Sequence, residues 1–127
     1  MVSKLSEVSI DCADPDALAR FWCAVLDYAI IEDESPEEGV VGIAPGGADE
    51  PDGRPTLVFA QVSEGKVVKN RVHLDVRPTD RDQDAEVRRL LDLGARPADV
   101  GQTGEESWVT LADPEGNEFC VLATRRP

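Results

Sequence analysis

Histidine occurs once in this 127-residue chain, at His73, so a metal centre built from several imidazoles is excluded before any fold is considered. Cysteine occurs three times, an odd number with no CxxC pair. That offers neither a disulfide framework nor zinc-ligand spacing, and the thiols are expected to be reduced and buried, as in a cytoplasmic protein. No apolar run approaches the ~20 residues of a membrane span, and the opening MVSKLSEVSID lacks the apolar stretch of a secretory signal. Positive charge is scarce: 13 Lys and Arg stand against 26 Asp and Glu, a formal charge of −13. Nucleic acid and anionic membrane surfaces need a basic patch to displace counterions, so neither is expected as a partner. GxSxG, P-loop, GxGxxG and HExxH motifs are all absent, which removes the usual footholds for hydrolase and nucleotide chemistry.

The charge that is present is uneven. Residues 1 to 64 hold 14 acidic against 3 basic residues, and residues 65 to 127 hold 12 against 10. The acidic run EDESPEE, Glu32 to Glu38, lacks the alternating ligands and turn glycine of a calcium loop and reads as a solvated turn.

Hydrophobic spacing predicts a repeat. Leu5 to Cys12 alternates with period two, so Glu7, Ser9 and Asp11 share one side of a strand and Val8, Ile10 and Cys12 the other. In ADPDALARFWCAVLDY, Asp14 suits an N-cap and Pro15 a first helical turn, while Leu18, Phe21, Trp22, Val25 and Leu26 form one apolar stripe. Strand-like runs follow at Ala29 to Glu32, Val40 to Ala44 and Thr56 to Val62. The last two are separated by the Pro- and Gly-rich segment Ala44 to Pro55, read as a hairpin loop. The pattern then restarts. RVHLDV repeats EVSIDC at an offset of 64, aligning Arg71 with Glu7, His73 with Ser9 and Asp75 with Asp11. A second helix is expected with Val87, Leu90, Leu91 and Leu93 on its apolar face and Gly94 at its C-terminal end. Ser107 to Ala112 and Glu118 to Thr124 flank the turn DPEGN; pairing residues whose numbers sum to about 230 sets Val109 opposite Val121 and Thr110 opposite Cys120.

The expected architecture is therefore α+β: one domain over residues 1–127, built from module one (about 1–64) and module two (about 65–127). Each module reads as strand, helix and three strands, and together they give an open, curved eight-stranded sheet with helices outside. The polar alternations of both modules would line its concave face.

This doubled βαβββ order, the opening VSIDCADPDALARFWCAVLDY and above all the closing WVTLADPEGNEFCVL resemble the vicinal oxygen chelate superfamily. That superfamily includes glyoxalase I, extradiol dioxygenases and bleomycin-resistance proteins. The resemblance implies a homodimer that binds small molecules in a concave cavity. It also implies, for many members, a divalent metal held by His or Glu on the first, fourth, fifth and eighth strands. Carried over residue by residue, those positions fall on Glu7, on Ala60 or Gln61, on Arg71 and on Cys120. A guanidinium has no lone pair to give and repels a dication, so the usual metal set is broken and no cofactor is expected.

What remains is an amphiphilic site of Glu7, Ser9, Asp11, Arg71, His73, Asp75, Trp108 and Cys120. Three readings follow from it. The first is metal-independent binding of a hydrophobic or aromatic small molecule, as in resistance proteins that sequester a natural product. Arg71 or His73 would meet a ligand oxygen and Trp108 would supply a flat wall. The second is a metal-free lyase or isomerase with His73 as general base, steered by Asp75 or Asp11, or a His73–Cys120 dyad. The third is a divalent-metal glyoxalase or dioxygenase with atypical ligands, for which a shifted set of His73, Glu7 and Cys120 is conceivable.

Overall fold

A computed structural model describes residues 1–32, 37–47 and 53–124. Part of the acidic run and the middle of the Ala44 to Pro55 segment lie outside the described residues. The chain divides into two compact units, Met1–Gly65 and Lys66–Pro127. The eight expected strands are present as two open four-stranded sheets, one in each unit.

In the first unit, β1 (Glu7–Cys12) leads into α1 (Pro15–Leu26), β2 (Ala29–Ile30), β3 (Val40–Ala44) and β4 (Thr56–Gln61), with sheet order β1-β4-β3-β2. Joining β1 to β4 in parallel requires the crossover that α1 and the intervening strands provide. The helix starts where the sequence places it: Asp14 Oδ1 accepts from the Ala17 N–H at 3.1 Å, and Pro15 occupies the first turn. It ends at Asp27, which takes a left-handed conformation (φ 56°). Leu18, Ala19, Phe21, Trp22 and Val25 are buried on one face, with the Phe21 and Trp22 rings meeting edge to face at 5.3 Å. Against them stand Ile43, Ala44, Leu57 and Phe59 from β3 and β4, all essentially sealed from water.

The second unit repeats the plan with β5 (Leu74–Val76), α2 (Gln83–Leu93), β6 (Arg96–Pro97), β7 (Val109–Ala112) and β8 (Glu118–Val121), in the order β5-β8-β7-β6. Here β5 begins at Leu74, not Arg71: Arg71 and His73 precede the strand, in a segment with exposed side chains and no ladder partner. Leu93, expected on the apolar face of α2, is 38% exposed. A residue not expected inside is buried instead: Glu86, whose carboxylate takes hydrogen bonds from Arg89 at 2.6 and 2.9 Å one turn on. Gln83 fastens the start of α2 to the sheet, its Nε2 donating to the Ser107 and Val121 carbonyls at 2.8 and 3.0 Å.

The closing hairpin has the expected register, with Val109 opposite Val121 and Thr110 opposite Cys120. Its turn is held by Asp113, a carboxylate only 1% exposed that accepts from the Glu115 and Asn117 N–H groups at 2.9 and 3.0 Å. Gly116 completes the turn at φ 89°, a conformation that favours glycine.

Candidate functional site

In the first unit, alternation along β1 sends Glu7 and Ser9 to the face opposite α1, and both line a cavity of about 600 Å³. Val40, Val41 and Gly42 of β3, Thr56 and Val58 of β4, Ile30 of β2 with Ile31 after it, and Ser6 ahead of β1 line it too, so apolar and polar groups share its walls. Four carboxylate residues line it as well: Glu7, Asp16, Glu32 and Glu37. Among the described residues, no lysine, arginine or histidine lines it. Gly42 is small for a local reason, since a Cβ there would come within 3.3 Å of Ile31. Asp11 lies at the end of β1, exposed and outside the lining of this cavity.

In the second unit the structure brings together three of the expected residues. The parallel β5–β8 register places Asp75 directly beside Cys120, and His73, two residues earlier, falls on the same side. His73 Nε2 stands 3.1 Å from Asp75 Oδ1, and the donor atoms of His73, Asp75 and Cys120 all lie within 4.8 Å of one another. His73 and Asp75 are exposed, whereas Cys120 is buried, with its Sγ 3.7 Å from the Thr110 hydroxyl. Arg71 is exposed and has no hydrogen bond or ion pair among the described residues, so the ion pair that would give it a purely structural role is not formed there. Trp108 sits one residue ahead of β7 and is 45% exposed.

Sequence reasoning passed over Glu118. Its carboxylate takes Lys66 Nζ at 2.7 Å and the Asn70 N–H at 3.1 Å, pinning the segment that carries Arg71 and His73 onto β8. Burial alone would raise the Glu118 pKa. The hydrogen bonds from Lys66 and the Asn70 backbone outweigh it and hold the carboxyl below its ordinary value. The signal was there in the alternation of EFCV, but a glutamate at a strand start reads as solvent-facing until its lysine partner is known.

Comparison with known proteins bears on this arrangement. The model of the glyoxalase-like domain family matches residues 7–122, and the chain belongs to that family. Among solved structures it is similar to the fosfomycin resistance protein FosX of Mesorhizobium loti, at 16% identity and a TM-score of 0.68, over 98% of this chain and 94% of that one. A glyoxalase/bleomycin resistance protein/dioxygenase family enzyme from Burkholderia phytofirmans PsJN is 21% identical, with a TM-score of 0.69 over 94% and 97% of the two chains. A mutant FosX of Listeria monocytogenes, complexed with Mn(II) and 1S,2S-dihydroxypropylphosphonic acid, is 14% identical, with a TM-score of 0.69 over 97% and 91%. Among curated proteins none matches. These likenesses establish the vicinal oxygen chelate fold.

The donor set does not fit the metal that this fold family implies. Asp11 pairs with Ala60 across β1 and β4 in the way that Asp75 pairs with Cys120 across β5 and β8, so the fourth-strand ligand position is Ala60, whose methyl group has no lone pair. The position that the family match assigns to the fifth strand is Arg71, which here precedes β5 and is a permanent cation. Of the four positions only Glu7 and Cys120 offer donor atoms, and a thiolate is a poor match for ions that favour oxygen and imidazole ligands.

Proposed function

We propose that this protein binds a hydrophobic or aromatic small molecule without the family's metal, sequestering a natural product in the manner of a resistance protein. The observation that carries the reading is a cavity of about 600 Å³ in the first unit, where apolar side chains (Ile30, Ile31, Val40, Val41 and Val58) are interleaved with hydroxyl and carboxylate groups. Its electrostatics add the sign of the ligand. Four acidic and no basic residues among the described lining favour a planar molecule bearing a positive charge and disfavour an anion. The phosphonic acid bound by the Listeria FosX is anionic at neutral pH, so that ligand class does not carry over to this cavity. Similarity to FosX and to the glyoxalase/bleomycin resistance family supports small-molecule binding of the resistance type. The protein is taken to act in the cytoplasm as a single two-module domain and a homodimer. Trp108, 45% exposed in module two, is proposed as a second flat surface for planar aromatics, whereas Arg71, a permanent cation, does not suit the cationic ligand of module one.

The test is fluorescence titration with matched planar aromatics carrying positive, zero or negative charge, proflavine serving as the cation. Saturable binding of proflavine, weakened about tenfold in Glu7→Gln, is expected; no binding of any probe at millimolar concentration sinks the reading.

A second reading, a metal-free lyase or isomerase, is favoured by one contact: Asp75 orients the His73 imidazole at 3.1 Å, as a general base requires. Any turnover found should be abolished by His73→Ala, and activity surviving that change removes His73 from the chemistry.

A further inference from the structure

We infer that His73, Asp75 and Cys120 form a binding site for a thiophilic dication, with zinc the biological ion of that class. The site shares only Cys120, at the eighth-strand position, with the family pattern; His73 and Asp75 are not among the positions that pattern uses. It lies wholly in module two, uses neither Glu7 nor the Arg71 position, and takes its three donors from the end of one loop and two adjacent strands.

Strand geometry assembles the donors. The β5–β8 register fixes Asp75 beside Cys120, and the period of two sets His73 over the same side, so the backbone brings an imidazole, a carboxylate and a thiol to one spot. Zinc sits about 2.0–2.1 Å from an imidazole nitrogen, 2.0–2.2 Å from a carboxylate oxygen and 2.3 Å from a thiolate, so tetrahedral ligands lie roughly 3.3–3.8 Å apart. The His73–Asp75 separation of 3.1 Å is already near that range, and no pair in the cluster exceeds 4.8 Å. Closing the remainder takes about 1 Å, supplied by rotation of the exposed His73 and Asp75 side chains while the buried Cys120 stays in place.

Donor chemistry then selects the ion. One sulfur, one nitrogen and one oxygen suit zinc or cobalt and discriminate against magnesium, calcium and manganese, which prefer all-oxygen shells. Three protein donors leave a fourth position open, the pattern of zinc sites that engage water or a ligand. Access is provided by His73 and Asp75, which are 43% and 48% exposed, while Cys120 forms the buried base of the site. Arg71 is exposed two residues away, where water and salt screen its charge. Binding displaces the thiol proton, so affinity should rise with pH.

The experiment is a Co(II) titration of the reduced full-length protein, followed by absorbance. The expected result is one equivalent of cobalt with a near-ultraviolet thiolate-to-cobalt charge-transfer band and intense visible bands of tetrahedral cobalt, both displaced by Zn(II). The charge-transfer band should vanish in Cys120→Ser and persist in Cys12→Ser and Cys23→Ser. Should Cys120→Ser fail to fold by circular dichroism, His73→Ala, an exposed position, serves instead and should weaken cobalt binding at least tenfold. Absence of the band at saturating cobalt, its persistence in Cys120→Ser, or unchanged affinity in His73→Ala would overturn the site. Proflavine binding to module one is read separately in excess chelator, so failure of either proposal leaves the other standing.

Discussion

At the scale of single residues, the chemistry of this protein depends on what each polar group is held against. Glu118 is the clearest case. Its folded pKa lies below its unfolded one, so it contributes stability above the ordinary carboxylate range, and that contribution is lost as pH falls through the depressed folded value. Replacing Lys66 by Met removes the charged partner at 2.7 Å and leaves a largely buried carboxylate short of a hydrogen bond. The expected loss is about 1–3 kcal/mol by denaturant titration near neutral pH. The acid-unfolding midpoint should also move to higher pH; an unchanged midpoint would show that the pair does not govern acid stability. Asp113 behaves differently: it is sealed from water, its Oδ1 accepting from two backbone N–H groups of its own turn and its Oδ2 from the Asn117 side-chain amide. Asp113→Ala should therefore destabilise by about 2 kcal/mol without altering ligand affinity, because two half-buried N–H groups of the turn lose their acceptor.

At the scale of elements, the strongest signals in the sequence came from local physics. Asp14 and Pro15 announce a helix start, the stripe through Trp22 announces its buried face, and the DPEGN turn fixes a register that pairs Thr110 with Cys120. These were legible because each follows from spacing within a dozen residues. The start of β5 was not legible: RVHLDV alternates cleanly, yet only Leu74–Val76 finds a ladder partner on β8, and pairing is a property of the neighbour. Glu86 was invisible for the same reason, since its burial follows from Arg89 folding back over it. The candidate site was legible in part. Alternation placed Glu7 with Ser9, and His73 with Asp75, but the carboxylates of Asp16, Glu32 and Glu37 come from segments outside that pattern. Two changes probe this level. Trp22→Ala should cost about 4 kcal/mol, as expected for a fully buried indole packed edge to face on Phe21. Gly116→Ala meets no close atom, the nearest lying 3.8 Å away at Lys66, so only its φ of 89° resists the change. A loss of about 1 kcal/mol is expected from chemical denaturation.

At the scale of the whole molecule, two copies of one strand–helix–strand plan carry different surfaces. Most of the formal charge of −13 belongs to the first half, where the cavity is, and the second half is close to neutral. The first unit carries a cavity with four acidic lining residues, the second an imidazole–carboxylate–thiol cluster. Long-range attraction of a cation to so acidic a chain is screened by salt, so proflavine association should slow markedly as ionic strength rises, while a neutral analogue is unaffected. Valines 67, 68 and 72 expose 92%, 75% and 77% of their surface beside Lys66 and Arg71, and analytical ultracentrifugation tests whether they are covered in a homodimer.

The central claim is that the module-one cavity holds the ligand, and isothermal titration of proflavine into wild type and Val58→Trp tests it most directly. Val58 is a half-buried residue of the cavity wall, and an indole there fills the space without touching the helix-facing core. The account predicts one saturable site in wild type and at least a tenfold loss of affinity in Val58→Trp, with the variant folded. Undiminished binding in Val58→Trp would contradict it.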